Sequence, residues 1–129
     1  MKKAIKIDSE NQKLEYITIG DDYREISSAI GNNCGLFTCI YLDDEDAMYC
    51  DDDSLLRPSD IKGGFLIEGW NTPIVGNAII LGTDEDGDSS DCHVTIEELG
   101  DNIKFLGADM CIRYANVVMS QPRVFYEIK

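Results

Sequence analysis

The stretch LFTCIYLDDEDAMYCDDD, residues 36–53, decides how this chain is read. Its first part, LFTCIYL (36–42), is β-branched and aromatic, which predicts a strand, and the unbroken apolar run predicts burial on both faces. DDED (43–46) turns the chain and AMYCDDD (47–53) runs back. The product is a β-hairpin with an acidic tip and an acidic far end.

Working outward, AIKID (4–8) and KLEYITIG (13–20) read as two strands joined by the turn residues SENQ. In the second, Leu14, Tyr16 and Thr18 alternate with Glu15 and Ile17. DDYREISSAIGNN (21–33) reads as a helix, with Asp21 or Asp22 as N-cap and Tyr23, Ile26 and Ile30 on one face. Gly31, Asn32 and Asn33 stop it. After the hairpin, SLLRPSD (54–60) is a loop, because Pro58 lacks the donor a ladder needs. GFLIEGW (64–70) and PIVGNAIILG (73–82) read as strands, with Gly76 marking a bulge or a close backbone approach.

DEDGDSSD (84–91) is a loop by composition. Thr95 and Glu98 have the spacing of a capping box, which opens a short helix over TIEELGDNI (95–103). KFLG, CIRYANVVM (111–119) and RVFYEIK (123–129) then read as strands, with Pro122 at the start of the last. That last segment would be an exposed edge, where pairing with a second copy would make a homodimer. The expected class is α+β: a mostly antiparallel β-sheet with two short helices in a single compact domain.

The 129 residues suit one domain, and 43% apolar residues are enough for a core. Against 11 bases stand 25 acids, a formal charge of −14. Such a chain repels nucleic acid and anionic membranes, and no basic cluster offsets this, so direct nucleic-acid binding is excluded. MKKAIKID has no apolar core of a signal peptide, and no apolar run approaches the roughly 18 residues of a span. These features place the protein in the cytosol. Five cysteines (Cys34, Cys39, Cys50, Cys92, Cys111) without a CxxC pair read as reduced thiols, several of them buried. The single histidine, His93, follows Cys92, and neighbours on a strand point to opposite faces, which disfavours zinc. No cofactor is expected.

The acids are concentrated. Asp43, Asp44, Glu45, Asp46, Asp51, Asp52 and Asp53 form one group; Asp84, Glu85, Asp86, Asp88, Asp91, Glu97, Glu98 and Asp101 form another. No lysine or arginine lies between Lys62 and Lys104. A calcium loop starting at Asp84 would have Asp86 and Asp88 in place, but Ser89 stands where glycine is required and Thr95 where glutamate is. Acid–base catalysis needs carboxylates in unlike environments, and these runs read as solvated. No nucleophile, metal or phosphate-loop motif is complete, so an enzyme is not expected.

Two readings of the acids remain. A strand places a charge about every 3.3 Å when both faces carry one, close to the roughly 3.4 Å between phosphates along a DNA strand. An acid-rich hairpin can therefore mimic nucleic-acid charge towards a basic protein surface. The plain alternative is that both groups are loops and edges kept soluble by their charge. The aromatics Phe37, Tyr41, Tyr49, Phe65, Phe105, Tyr114, Phe125 and Tyr126 read mostly as core. Trp70, in EGWNTP, sits at a strand end beside a turn and is the candidate half-exposed binding anchor.

The segment order, with the YLDDEDAMYC hairpin and the VGNAIILG strand as its most specific pieces, resembles a domain-of-unknown-function family of small acidic proteins carried by bacteriophages and mobile elements. The resemblance covers roughly residues 1–105. In that family the hairpin turn usually carries a glycine after the acids, where this chain has Ala47. The resemblance implies binding to a host or competitor protein, including counter-defence, and assigns no residue a role. The expected partner carries a basic, nucleic-acid-binding surface, met by the acids at 43–53 and 84–91 and by Trp70. A nucleotide-binding sponge is the alternative from another class, with Arg57, Lys62, Arg113 and Arg123 as its phosphate partners; an accessory protein without a specific ligand is a third.

Overall fold

A computed structural model describes residues 1–20, 22–31, 34–43 and 45–120. Strands β1 (Lys2–Asp8) and β2 (Lys13–Ile19) lead to helix α1 (Tyr23–Ile30), then to the hairpin of β3 (Phe37–Tyr41) and β4 (Asp46–Asp51). Two single 3-10 turns, Ser54–Leu56 and Pro58–Asp60, precede β5 (Gly63–Ile67) and β6 (Ile74–Val75). β7 (Ala78–Thr83), the short β8 (Ser89–Ser90), α2 (Ile96–Gly100), β9 (Ile103–Gly107) and α3 (Ala108–Ser120) complete the described chain.

Two antiparallel sheets form. The larger runs in the order β2-β1-β7-β4-β3, with β8 also on β7; the smaller runs β6-β5-β9. Alternation sorts the large sheet's side chains onto two faces. Ile5, Ile7, Met48, Cys50 and Ile80 face Phe65, Ile67 and Ile74 of the small sheet. Ala4, Ile19, Ile79 and Leu81 face Ile26 and Ile30 of α1. Leu106 and Val75, on the outer side of the small sheet, meet Cys111 and Ala115 of α3. The layers are therefore helix, sheet, sheet, helix, with one apolar cluster at each of the three interfaces. Each fully buried isoleucine contributes on the order of 2 kcal/mol.

The expected α+β class, mostly antiparallel and single-domain, is what forms. Local signals placed several elements well. Asp22 caps α1 by accepting from Arg24 N, and Gly31 ends it at φ 75°. Asp21, Asn32 and Asn33 lie outside the described residues. The Thr95–Glu98 capping box is present in both directions.

Four expectations change. Among the described residues there are three α-helices rather than two short ones, because 111–119 lies within α3 instead of a strand. Cys111 and Ala115, four apart, share a fully buried stripe, and Gly64 is what lets that stripe approach. A Cβ on Gly64 would lie 2.8 Å from Cys111 Sγ. Second, 73–82 is two strands in different sheets, parted at Gly76 (φ 98°). Buried Asn77 holds the crossing: its Oδ1 accepts from Ser9 N at 2.8 Å and its Nδ2 donates to Ile30 O at 2.9 Å. Third, β3 is an edge strand, not one buried on both faces. Fourth, Tyr41 is 71% exposed rather than core. Of the three residues expected on one face of α1, Ile26 and Ile30 are buried and Tyr23 is exposed. The expected edge strand at 123–129, with Phe125 and Tyr126, lies outside the described residues. Among those residues no helix is long and apolar enough to cross a membrane.

Candidate functional site

β4 begins at Asp46 and ends at Asp51, so its two ends lie about 17 Å apart at the strand rise of roughly 3.3 Å per residue. The acids divide between these ends. At the first, Asp43 Oδ1 accepts from Glu45 N and Asp46 N, both at 2.8 Å, and so forms the hairpin turn. Asp46 is buried, and its carboxylate accepts from His93 N at 2.8 Å and Val94 N at 3.0 Å. Its role is to tie the hairpin to the chain entering α2.

The second acidic run arrives at the same end. Thr83 N donates to Glu45 O at 2.7 Å, which places the loop after β7 against the hairpin tip. Asp84 Oδ1 accepts from Asp86 N and Asp88 N at 2.9 Å each, so this carboxylate is turned into its own loop. Asp91 Oδ1 accepts from Lys3 N at 2.8 Å. Glu45, Thr83, Asp84, Glu85, Asp86, Ser90 and His93 line one open concavity of roughly 580 Å³. The side chains of Glu45, Glu85, Asp86 and Asp88 are exposed and make no hydrogen bond among the described residues. Asp44 lies outside the described residues.

Asp51, Asp52 and Asp53 are at the other end and do not join this surface. Asp51 is buried and forms an ion pair with Arg57 while accepting from Asp53 N at 2.9 Å. Arg57 also reaches Asp60 at 3.6 Å. That engagement removes Arg57 from the set of phosphate partners a nucleotide site would need; Arg123 is outside the described residues. Trp70, 44% exposed, lies at this second end. With Asp51, Asp52, Leu55, Tyr114 and Ile40 it borders a groove of about 210 Å³.

Sequence reasoning thus found the acids but not their division, and it missed His93, Leu55 and Tyr114 as neighbours of the two surfaces. No local signal marks those three, since each arrives by tertiary packing. All five cysteines are free. Cys50, Cys92 and Cys111 are buried, Cys34 half-buried and Cys39 exposed; desolvation pushes all five thiols up, Cys50 to about 12, which makes the three buried ones poor nucleophiles. Among the described residues no three histidine, cysteine or acidic side chains are grouped to hold a metal ion.

The family described as Domain of unknown function (DUF3846) matches residues 1–104, four fifths of the 129-residue chain; the match ends within β9. No curated protein and no solved structure matches the chain. The chain belongs to the DUF3846 family.

Proposed function

We propose that this DUF3846 member is a bacteriophage or mobile-element protein that works in the host cytoplasm by binding a host or competitor protein. Its target would carry a basic, nucleic-acid-binding surface, and the bound state would act as a counter-defence inhibitor by imitating nucleic-acid charge. The observation that carries this reading is the convergence of two acidic runs, far apart in sequence, on one end of the large sheet. The Thr83–Glu45 bond joins them. Solubility alone requires charge but not its assembly from two loops onto one concavity.

Glu45, Glu85, Asp86 and Asp88 are the groups the reading depends on, because their carboxylates make no hydrogen bond among the described residues. Asp43, Asp46, Asp84 and Asp91 serve by shaping the loops that present them. A line of fixed carboxylates attracts a basic groove over long range and loses that attraction as salt rises. The burial of the Cys50, Cys92 and Cys111 thiols favours such a binding role over a nucleophilic one at those three positions.

The test is capture from host lysate by the tagged chain, washed across a salt series and read by mass spectrometry. A nucleic-acid-binding protein retained at low salt and released as salt rises is expected. Retention that ignores salt, or a captured protein without a basic surface, would overturn charge mimicry.

A further inference from the structure

β3 is the outer strand of the large sheet, and two bonds establish which of its backbone groups face away from it. Leu42 N donates to Asp46 O and Asp52 N donates to Leu36 O, both at 3.0 Å. These bonds extend the register that sets Phe37 opposite Asp51 and Tyr41 opposite Ala47. Bonded and non-bonded pairs alternate along an antiparallel ladder. Leu36, Thr38, Ile40 and Leu42 therefore turn their backbone groups to β4, and Phe37, Cys39 and Tyr41 turn theirs outward. Among the described residues nothing pairs with those three N–H and three C=O groups.

Natural sheet edges are usually protected by charge, proline or a bulge. Residues 36–42 contain neither a charged residue nor proline, and Leu36 and Tyr41 are 63% and 71% exposed. Beside this edge lies the groove bordered by Thr38, Ile40, Leu55, Trp70 and Tyr114. Acids flank the edge at both ends, Asp43 and exposed Glu45 at one and exposed Asp52, with Asp53, at the other, where Asp51 is already taken up by Arg57.

We propose that the outer edge of β3 docks an extended segment of a partner protein, apolar at its centre and carrying lysine or arginine towards both ends. The inference rests on the binding-protein reading above and names how the partner is held. Backbone bonds to Phe37, Cys39 and Tyr41 supply the pairing, alternate side chains of the added strand reach the Trp70 groove, and its cations meet the two acidic ends. A second copy of the chain fits poorly. Antiparallel pairing about Cys39 would set the tip acids of one copy at the end where Asp51–Asp53 of the other lie, on chains of formal charge −14 each.

The experiment titrates the full chain into a labelled synthetic peptide of alternating valine and threonine with lysines at both ends. Binding is expected to weaken by about tenfold or more when glutamates replace the lysines, because like charges then face each other. It is expected to weaken comparably when alternate peptide nitrogens are methylated. Equal binding by either altered peptide overturns the proposal, as does no binding by the lysine peptide. Release of the edge by deleting residues 121–129, or a dimer in sedimentation that the peptide splits, would assign the edge to another occupant and overturn it too.

On the protein side, Cys39→Pro removes an outward N–H without breaking the β4 ladder, so peptide binding should fall while folding is kept. The methylated peptide carries the test on the unaltered chain should that variant unfold. If Cys39→Pro is folded and still captures a basic protein from lysate as the parent does, the docking edge falls while the acidic-surface reading stands. If salt has no effect on what the parent captures, the acidic-surface reading falls by itself.

Discussion

At one end of β4, Asp46 is 2% exposed and met by two backbone N–H groups; at the other, Asp51 is 8% exposed and met by Arg57 and one backbone N–H. Both belong to the same acidic stretch, yet neither offers its charge to solvent. Among the carboxylates that do, Glu45, Glu85, Asp86 and Asp88 sit in turns shaped by Asp43 and Asp84, and exposed Asp52 lies at the other end. A run of aspartates is thus a mixture of anchors and free charge. Only the hydrogen bonds tell the two apart.

The two ends should respond differently to perturbation, and the largest response is expected at high pH. Cys50 precedes Asp51, and its thiol is pushed up to about 12, first by burial and then by the charges of Asp52 and Asp51. The unfolded chain therefore ionises first as pH rises past the ordinary thiol value of 9.0. Stability should be intact below pH 9.0 and fall towards pH 12 by at most about 1.4 kcal/mol per unit from this one group. Urea unfolding across that range should show the slope flatten in Cys50→Ala. An unchanged slope would mean that burial at this end does not hold the Cys50 thiol protonated.

Asp46→Ala comes next. It strands the N–H groups of His93 and Val94, which are part-buried, so towards the lower part of the range of roughly 1–3 kcal/mol per unsatisfied donor the loss should be about 3 kcal/mol. Because these two N–H groups are uncharged, their share of the loss should be nearly independent of salt; the His93 ring, 3.6 Å from the carboxylate, adds an ionisable neighbour whose share is not. Asp51→Ala should cost less, about 2 kcal/mol, because the Arg57 side chain is 26% exposed and keeps both water and Asp60. That loss should shrink as salt rises. Equal losses with equal salt dependence, read by urea unfolding, would erase the distinction between the ends.

These differences also show how far the sequence could be read. α1, the β3–β4 hairpin and the Thr95–Glu98 box are local, so spacing and capping residues reveal them. α3 was misread because cysteine, isoleucine and valine favour strands, whereas the deciding feature is the room Gly64 leaves beneath Cys111. The break of 73–82 depends on Asn77 reaching Ser9 and Ile30, which no window along the chain contains. β3 was misplaced because an apolar run looks the same at an edge as in a sheet centre. The acidic surface was legible as composition. The burial of Asp46 and Asp51 was not, since the partners that hold them arrive from residues 93, 94 and 57.

The smallest effect on stability is expected where the effect on binding is greatest. A variant carrying Glu45→Lys, Glu85→Lys, Asp86→Lys and Asp88→Lys alters only exposed side chains, so its urea stability should stay within about 1 kcal/mol of the parent. Measured alongside, its capture of a basic nucleic-acid-binding protein from host lysate should be lost. Unchanged stability with capture intact would contradict the division of the acids into anchors and binding charge.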